Sequence, residues 1–586
     1  LLRYKPRFFG GAESQVDAPE FFLAPGGKTD PQAELEATMG ALFVGDQSDP
    51  EMSAQCTFPA RYQWLKERLQ FDPDRLPEIS CGRFDRWMEE LQPQRITLVF
   101  PSAYLNNPAS MFGHTLLRID GRGQDEQTRL LAQTINYAAR SGQAHGISYA
   151  FNGLFGRFSG RYSMAPYYLK VRAYGDMENR DIWEYGLDLT GEELDRLLRH
   201  VWEMRSAGFD YYFLDENCSY HLLSLLEAAR PELRLTDRFS WWAIPSETVR
   251  AVAEAGLLEE VRFRPSRNTI LRQRASLMDA GLQRLAKGLT LGELGPESEE
   301  MRRLPPADQA RVVELAVDYA AYRQNVRFGG APQGTATVSR LLEARSRLDV
   351  PDQTPAIPAP EILPGQGHKP ARAGIGYGFE DSRHFIEVTA APGYHDLFDP
   401  QGGFTRGAQV IALRTALRYY PEENRAELER LELLDIMSLS PWDRFLQPVS
   451  WKFHLGIGRK HLESSDRLLL GRINTGFGIS RDLSDRTSAH AFAEGTLEMS
   501  DRFDYFVAPG IGPGLGLMHD FTDGWRTGVF FQWRYFALEE TRNDFEILAR
   551  NRFALGEGSI VGLDLSWKRH FDHGFVGGTL YWQLYF

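Results

Sequence analysis

The chain has 586 residues, 42% hydrophobic, 12% aromatic and 25% charged, which excludes a disordered polypeptide and asks for about three or four domains rather than one core. A formal net charge of -13 argues against nucleic acid as a partner, because phosphate binding draws on excess Lys and Arg. Mean hydropathy is -0.38, and no run of about 18 apolar residues could span a bilayer as a helix; a β-barrel stays open, since alternating strands escape hydropathy averages.

The chain opens on Leu1, and LLRYKPRFFGG has neither a basic n-region nor a cleavage site. The expectation is that the numbering begins inside a processed or truncated chain, with any signal peptide ahead of it. Residues 1–94 read as an irregular, partly helical cap module, with ELEATMGALF at 34–43 and the aromatic helix FDRWMEEL at 84–91. The cysteines are Cys56, Cys81 and Cys218. Cys56 and Cys81 flank the helix-like ARYQWLKERLQ and a loop with Pro73 and Pro77, so a local disulfide in an oxidising compartment is expected there; two buried free thiols are the alternative. Pairing would leave Cys218 as the odd thiol.

From Arg95 the pattern turns to strands: RITLVF at 95–100, HTLLRID at 114–120 and LLAQTINYAA at 130–139. A Gly- and aromatic-rich stretch at 151–168 reads as a loop, and LKVRAY at 169–174 as another strand. Thr190 and Glu193 predict a capping box opening EELDRLLRHVWEMR. Asp215 or Asn217 can cap a second helix with Leu222, Leu225, Leu226 and Ala229 on its apolar face. That puts Cys218 at a helix start, where the dipole would lower its pKa. His114, sharing a strand face with Leu116 and Arg118 by alternation, is the candidate base, with Gly113 allowing close approach. Asn136 on the next strand is the candidate third member, orienting the imidazole. Tyr104, Ser110 and Asn217 are candidates for oxyanion or substrate contact, although a plain turn at Asn106–Asn107–Pro108 is the favoured reading of the first two. A metal shared by Cys218 and His221 would want two more ligands, and none lies in sequence reach, so neither metal nor cofactor is expected.

A His-strand, a polar strand and then a Cys-helix resembles the circularly permuted papain-like domains of the NlpC superfamily. More closely, PASMFGHTLLR, INYAA and FLDENCSYHLL resemble the Lnb N-terminal periplasmic domain family over about residues 95–265. The resemblance implies an α+β papain-like fold, periplasmic placement, Cys218 as nucleophile, His114 as base and Asn136 as third member. Some relatives transfer acyl chains to the amino terminus of lipoproteins; those carry transmembrane helices after the domain, which this chain does not.

Residues 266–365 read as a connector, with amphipathic helices at 268–290, 305–326 and 333–348 and the Pro-rich PDQTPAIPAPEILPGQGHKP at 351–370. Residues 366–586 alternate with period 2. Trp451, Phe453, Leu455 and Ile457 oppose Lys452 and His454; Val529, Phe531, Trp533 and Tyr535 oppose Gln532 and Arg534; Val561, Leu563, Leu565 and Trp567 oppose Asp564, Ser566 and Lys568. Such segments number about twelve and predict a transmembrane antiparallel β-barrel, with a soluble β-sandwich as the alternative. The last segment, TLYWQLYF, ends in Phe, resembling the terminal strand of bacterial outer-membrane proteins. An even strand count sets both barrel ends on one side, where short turns are expected, and a barrel of this size is expected to have little free lumen.

The expected function is a cysteine-dependent acyltransferase or hydrolase, anchored in the outer membrane and acting through a thioester on an acyl lipid or lipoprotein at the periplasmic face. Outer-membrane lipid is the expected partner. Phe151, Leu154, Phe155 and Phe158 are candidate acyl-chain or lipid contacts, with ordinary core packing as the alternative. Two other readings are a peptidoglycan amidase or endopeptidase, and a barrel transporter whose papain-like domain is a binding module.

Overall fold

The computed structural model describes residues 1–7, 10–43, 49–105, 110–140, 142, 146–327, 332–352, 354–461, 467–538, 541–556, 558–570 and 573–586. The chain forms two compact units, Leu1–Ala359 and Pro360–Phe586.

In the first unit a seven-stranded antiparallel sheet runs in the spatial order Phe209–Tyr211, Phe158–Pro166, Gln133–Arg140, Leu116–Gly121, Pro93–Pro101, Ile182–Leu187, Leu258–Arg264. The helix Cys218–Ala229 packs across the strands Leu116–Gly121 and Gln133–Arg140, and the helix Gly191–Glu203 lies beside it. The capping box is formed: Thr190 N–H donates to Glu193 Oε2 at 2.8 Å and Glu193 N–H to Thr190 Oγ1 at 3.3 Å.

The cap module docks on that second helix through buried polar contacts. Cys56 and Cys81 form the expected disulfide. Trp202 Nε1–H donates to Cys56 O at 3.0 Å, and Arg61, 3% exposed, holds Glu34 at 2.9 Å while its backbone N–H donates to Glu203 Oε1 at 2.8 Å.

Several local expectations are corrected. His114 lies two residues ahead of its strand, which starts at Leu116, because Gly113 at φ +102° breaks the extended run. The stretch 151–168 is the end of the helix Gly146–Leu154 followed by the strand Phe158–Pro166, not a loop. LKVRAY is helical, within Tyr167–Val171 and the π turn Arg172–Met177. Its buried side faces the sheet through Tyr167, Val171 and Tyr174 at helical i, i+4, i+7 spacing, packed near Val99, Leu116 and Ile182. The connector segment 268–290 is two helices, Arg267–Ser276 and Ala280–Leu291, because the Asp279 carboxylate accepts from Gly281 and Leu282 N–H and starts the second.

No helix among the described residues is long and apolar enough to cross a membrane. The second unit is instead a closed barrel of twelve antiparallel strands, from Arg372–Glu380 to His573–Tyr585, sealed by pairing from Arg372↔Tyr585 to Glu380↔Gly577. The outside is apolar: Ile375, Val388, Phe477, Ile511, Val529, Leu565, Leu580 and Trp582 are all exposed. Inside, charges are paired, as with Lys452 to Glu494 at 2.7 Å and Arg418 to Glu387 at 2.8 Å; Lys460 meets both Glu498 and Asp544. The two longest connections, 392–407 and 439–449, emerge at the end that carries both barrel termini, so short turns are not the rule there. They fold inward. Leu397, Phe398 and Leu439 form a buried cluster with Phe492 and Met518 of the wall, leaving a polar cavity of about 190 Å³ lined in part by Glu387, Arg418, Arg430 and Lys568.

Candidate active site

Asn217 is the N-cap of the helix Cys218–Ala229, and Cys218 is its first residue. Asn217 Oδ1 accepts from Ser219 N–H at 3.1 Å and Tyr220 N–H at 3.3 Å, while Nδ2–H donates to Phe213 O at 3.1 Å and Ala243 O at 2.6 Å. Both amide hydrogens are thus spent on backbone carbonyls, which makes Asn217 a cap and a loop tie rather than an oxyanion donor.

On the other side, His114 N–H donates to Pro101 O at 3.2 Å, which returns the chain to the end of the strand Pro93–Pro101. This approach needs glycine at 113: beside its positive φ, a Cβ there would lie 2.7 Å from the Phe100 ring. The His114 Nε2 pairs with Asn136 Oδ1 at 2.8 Å, both side chains buried. With Nε2–H donating to the amide oxygen, Nδ1 keeps its lone pair.

Cys218 is the free cysteine, 2% exposed. Its sulfur lies within electrostatic reach of the backbone N–H of Thr115, the residue after His114, and of the Tyr211 hydroxyl. Tyr174, whose ring centre is 5.7 Å from that of His114, is also within electrostatic reach of the sulfur. His114, Asn136 and Cys218 are therefore brought into one buried cluster.

Electrostatically the cluster departs from expectation. Burial pushes the Cys218 thiol up, against the smaller opposing pull of the Thr115, Tyr211 and Ser219 donors and the Arg180 charge. The dipole argument alone predicts the reverse; desolvation outweighs it. Burial also drops the His114 pKa to about 3, with the Asn136 bond opposing and the Arg180 and Lys170 charges assisting. Burial thus favours a neutral thiol at Cys218 and a neutral imidazole at His114.

Sequence reading missed Arg180, 2% exposed, which donates through Nη2 to Pro101 O at 2.8 Å and through Nε to Ser102 O at 2.6 Å. It fixes the backbone to which His114 is bonded and lends positive field to both His114 and Cys218. Tyr174 and Tyr211 were missed too; all three arrive by tertiary contact, with no spacing signal in the chain.

Tyr104 N–H donates to Ser110 O at 2.9 Å, and the expected turn at 106–108 lies outside the described residues. Of the four candidate lipid contacts, Phe151, Leu154 and Phe155 are 45%, 48% and 60% exposed, whereas Phe158 is buried against Tyr149 and Phe213. Leu214 and Trp241 are exposed as well, the latter at 82%. Backbone bonds tie the segments together, Phe213 N–H to Gly153 O at 2.8 Å and Ala243 N–H to Leu214 O at 2.7 Å, around the cap of the Cys218 helix.

A closed barrel with an apolar exterior, on a chain with an internal disulfide and a separate α/β unit, defines an outer-membrane β-barrel protein with a periplasmic domain. Residues 83–255 match the family model of the Lnb N-terminal periplasmic domain. Models described only as domains of unknown function match residues 1–68, 261–357 and 361–585. No curated protein matches the chain. Among solved structures, the KdgM porin is similar at 10% identity, covering 37% of this chain and 99% of its own with a TM-score of 0.23. The NanC porin is similar at 5% identity, 37% and 98% coverage and a TM-score of 0.24. An anion-selective porin from Comamonas acidovorans is similar at 8%, with 37% and 98% coverage and a TM-score of 0.21.

Proposed function

We propose that the periplasmic unit is a cysteine-dependent acyltransferase or hydrolase of acyl lipids or lipoproteins, held at the outer membrane by the barrel. The observation that carries this reading is the buried His114–Asn136 bond, with the free, buried Cys218 in electrostatic reach of Thr115, the residue next to His114. In this reading His114 Nδ1 takes the thiol proton as the sulfur attacks an ester carbonyl. The carbon–sulfur bond forms, the alkoxide leaves with the proton returned by His114, and the thioester is resolved by an amine, a hydroxyl or water. Asn136 holds the imidazole in the tautomer that leaves Nδ1 free to accept.

Substrate class is supported by Phe151, Leu154, Phe155, Leu214 and Trp241, all apolar and exposed, on segments that backbone bonds tie to the loop ahead of the Cys218 helix. Arg157 lies over the Phe151 ring at 5.2 Å, a pairing suited to the edge of a lipid headgroup layer. The filled lumen favours an anchor over a wide pore.

The test is intact-mass analysis of wild type and Cys218→Ala after incubation with phospholipid vesicles. A thiol-linked acyl adduct on wild type, absent from the variant, is the expected result. An adduct formed only with muropeptides would move the assignment to a peptidoglycan amidase, and an inert thiol with both would end the enzyme reading.

A further inference from the structure

The barrel unit carries a second cluster of chemistry-bearing side chains that the acyl-transfer reading does not use. His368 lies four residues ahead of the first barrel strand, and His395 and Asp399 lie on the inward-folded connection 392–407; all three are buried. His368 Nε2 is 2.9 Å from His395 Nδ1 and 3.6 Å from Asp399 Oδ2, and one ligand atom from each residue lies within 4.8 Å of the others.

We propose that His368, His395 and Asp399 bind a divalent transition-metal cation of the zinc class. Bonds of about 2.0–2.1 Å at ligand angles of about 90–120° set neighbouring ligand atoms roughly 2.9–3.6 Å apart; the 2.9 and 3.6 Å separations from His368 Nε2 span that window. Two imidazole nitrogens and one carboxylate oxygen suit zinc and its neighbours rather than magnesium or calcium, which take oxygen ligands.

The surroundings orient each ligand. His368 Nδ1–H donates to Lys369 O at 2.7 Å, which turns the Nε2 lone pair toward the other two residues. Phe404 stacks on both imidazoles, with ring centres 4.4 Å from His368 and 4.1 Å from His395. Asp399 is held by Tyr585 O–H at 2.6 Å on Oδ1 and by Arg372 Nη1 at 2.5 Å on Oδ2. The Arg372 charge opposes a cation, so affinity rests on the two imidazoles, which favour a borderline metal such as zinc over oxygen-seeking cations. The competing arrangement is a metal-free chain in which His395 Nδ1–H donates to His368 Nε2 and the Gln401 amide, 3.2 Å from His395 Nε2, completes it. A bound cation would fasten the inward connection to the seam where Arg372 pairs with Tyr585 and the barrel closes.

The experiment uses the intact protein in detergent, stripped with chelator, titrated with zinc alone, desalted and assayed for retained metal, with thermal melting in parallel. Expected are one zinc per chain and a raised melting temperature for wild type and for the surface control His384→Ala. At least tenfold weaker retention is expected for His395→Gln and His368→Gln, each checked for a closed barrel by heat-modifiable migration on gels. No zinc on wild type above buffer, or equal retention by folded variants, would overturn the site in favour of the hydrogen-bonded histidine pair. Should either variant not fold, wild-type stoichiometry decides alone. None of these outcomes depends on Cys218, so failure here leaves the acyl-transfer reading standing, and the reverse.

Discussion

Two charge states at the residue scale set how the site should behave. With the Cys218 thiol pushed up by burial and His114 held neutral, thiolate is scarce at neutral pH. Alkylation of Cys218 by iodoacetamide should be slow at pH 7 and climb about tenfold per unit into the alkaline range, without the plateau near pH 5 that a thiolate–imidazolium pair gives; a rate independent of pH from 5 to 8 would refute the neutral-pair assignment. Asn136→Ala should lower the rate of thioester formation by about 10–10² while leaving Cys218 present, since it removes the group that fixes the His114 tautomer. His114 also links the fold to acid. Its folded pKa of about 3 is below the ordinary value of about 6.5, so its contribution to stability is full above that value and is lost as pH falls towards 3. Urea unfolding of the N-terminal unit should therefore weaken on acidification, and less steeply in His114→Gln. The helix start at Cys218 was legible because a cap signature is a local pattern, whereas the His114–Asn136 contact joins residues the chain keeps apart, and the alternation that proposed His114 breaks at Gly113. Arg180, Tyr174 and Tyr211 were not legible, because their places exist only once the strands Ile182–Leu187 and Phe209–Tyr211 have joined the sheet and the π turn has packed on it.

Among the elements, the helix Cys218–Ala229 depends on one side chain more than on its propensity. Asn217 caps two N–H groups and ties the backbone at Phe213 and Ala243, so Asn217→Ala removes a cap and leaves two carbonyls short of a donor. A loss of about 2–4 kcal/mol is expected, read as a shift of the denaturation midpoint, together with increased access of thiol reagents to Cys218. A change within about 0.5 kcal/mol would show that the cap is replaceable. Elements with sharp chemical signatures, such as the Thr190–Glu193 box and this cap, were readable from the chain. LKVRAY was not, since its alternation imitates a strand, whereas the apolar triplet Tyr167, Val171 and Tyr174 that reveals a helix begins two residues earlier. The strands Ile182–Leu187 and Leu258–Arg264 went unread because they carry charges in place of clean alternation: Glu184, buried, is neutralised by Arg118 at 2.6 Å and Arg264 at 3.1 Å, partners distant in sequence.

For the molecule as a whole, the twelve-stranded barrel was legible strand by strand because lipid on one side and paired charge on the other force period 2. Its contents were not, since the connection 392–407 shows no periodicity and its inward course is set by long-range partners. Phe398 packs on Phe530 with ring centres 5.7 Å apart, Asp396 pairs with Arg414 at 3.0 Å, and Arg526 reaches Leu397 O. These contacts, with Leu439, fill part of the barrel interior. Closure of the wall needs none of them, because the register from Arg372↔Tyr585 to Glu380↔Gly577 is complete in the backbone. Replacing 394–404 by a short Gly/Ser connection should therefore leave a folded, heat-modifiable barrel and open the lumen. In planar bilayers wild type should show no steady current, and the shortened variant a stepwise conductance that favours neither sign strongly, given the mixed lining of Glu387, Arg418, Arg430 and Lys568. Equal conductance in the two proteins would mean that the inward connection does not obstruct the barrel, and the case for an anchor over a channel would fall with it.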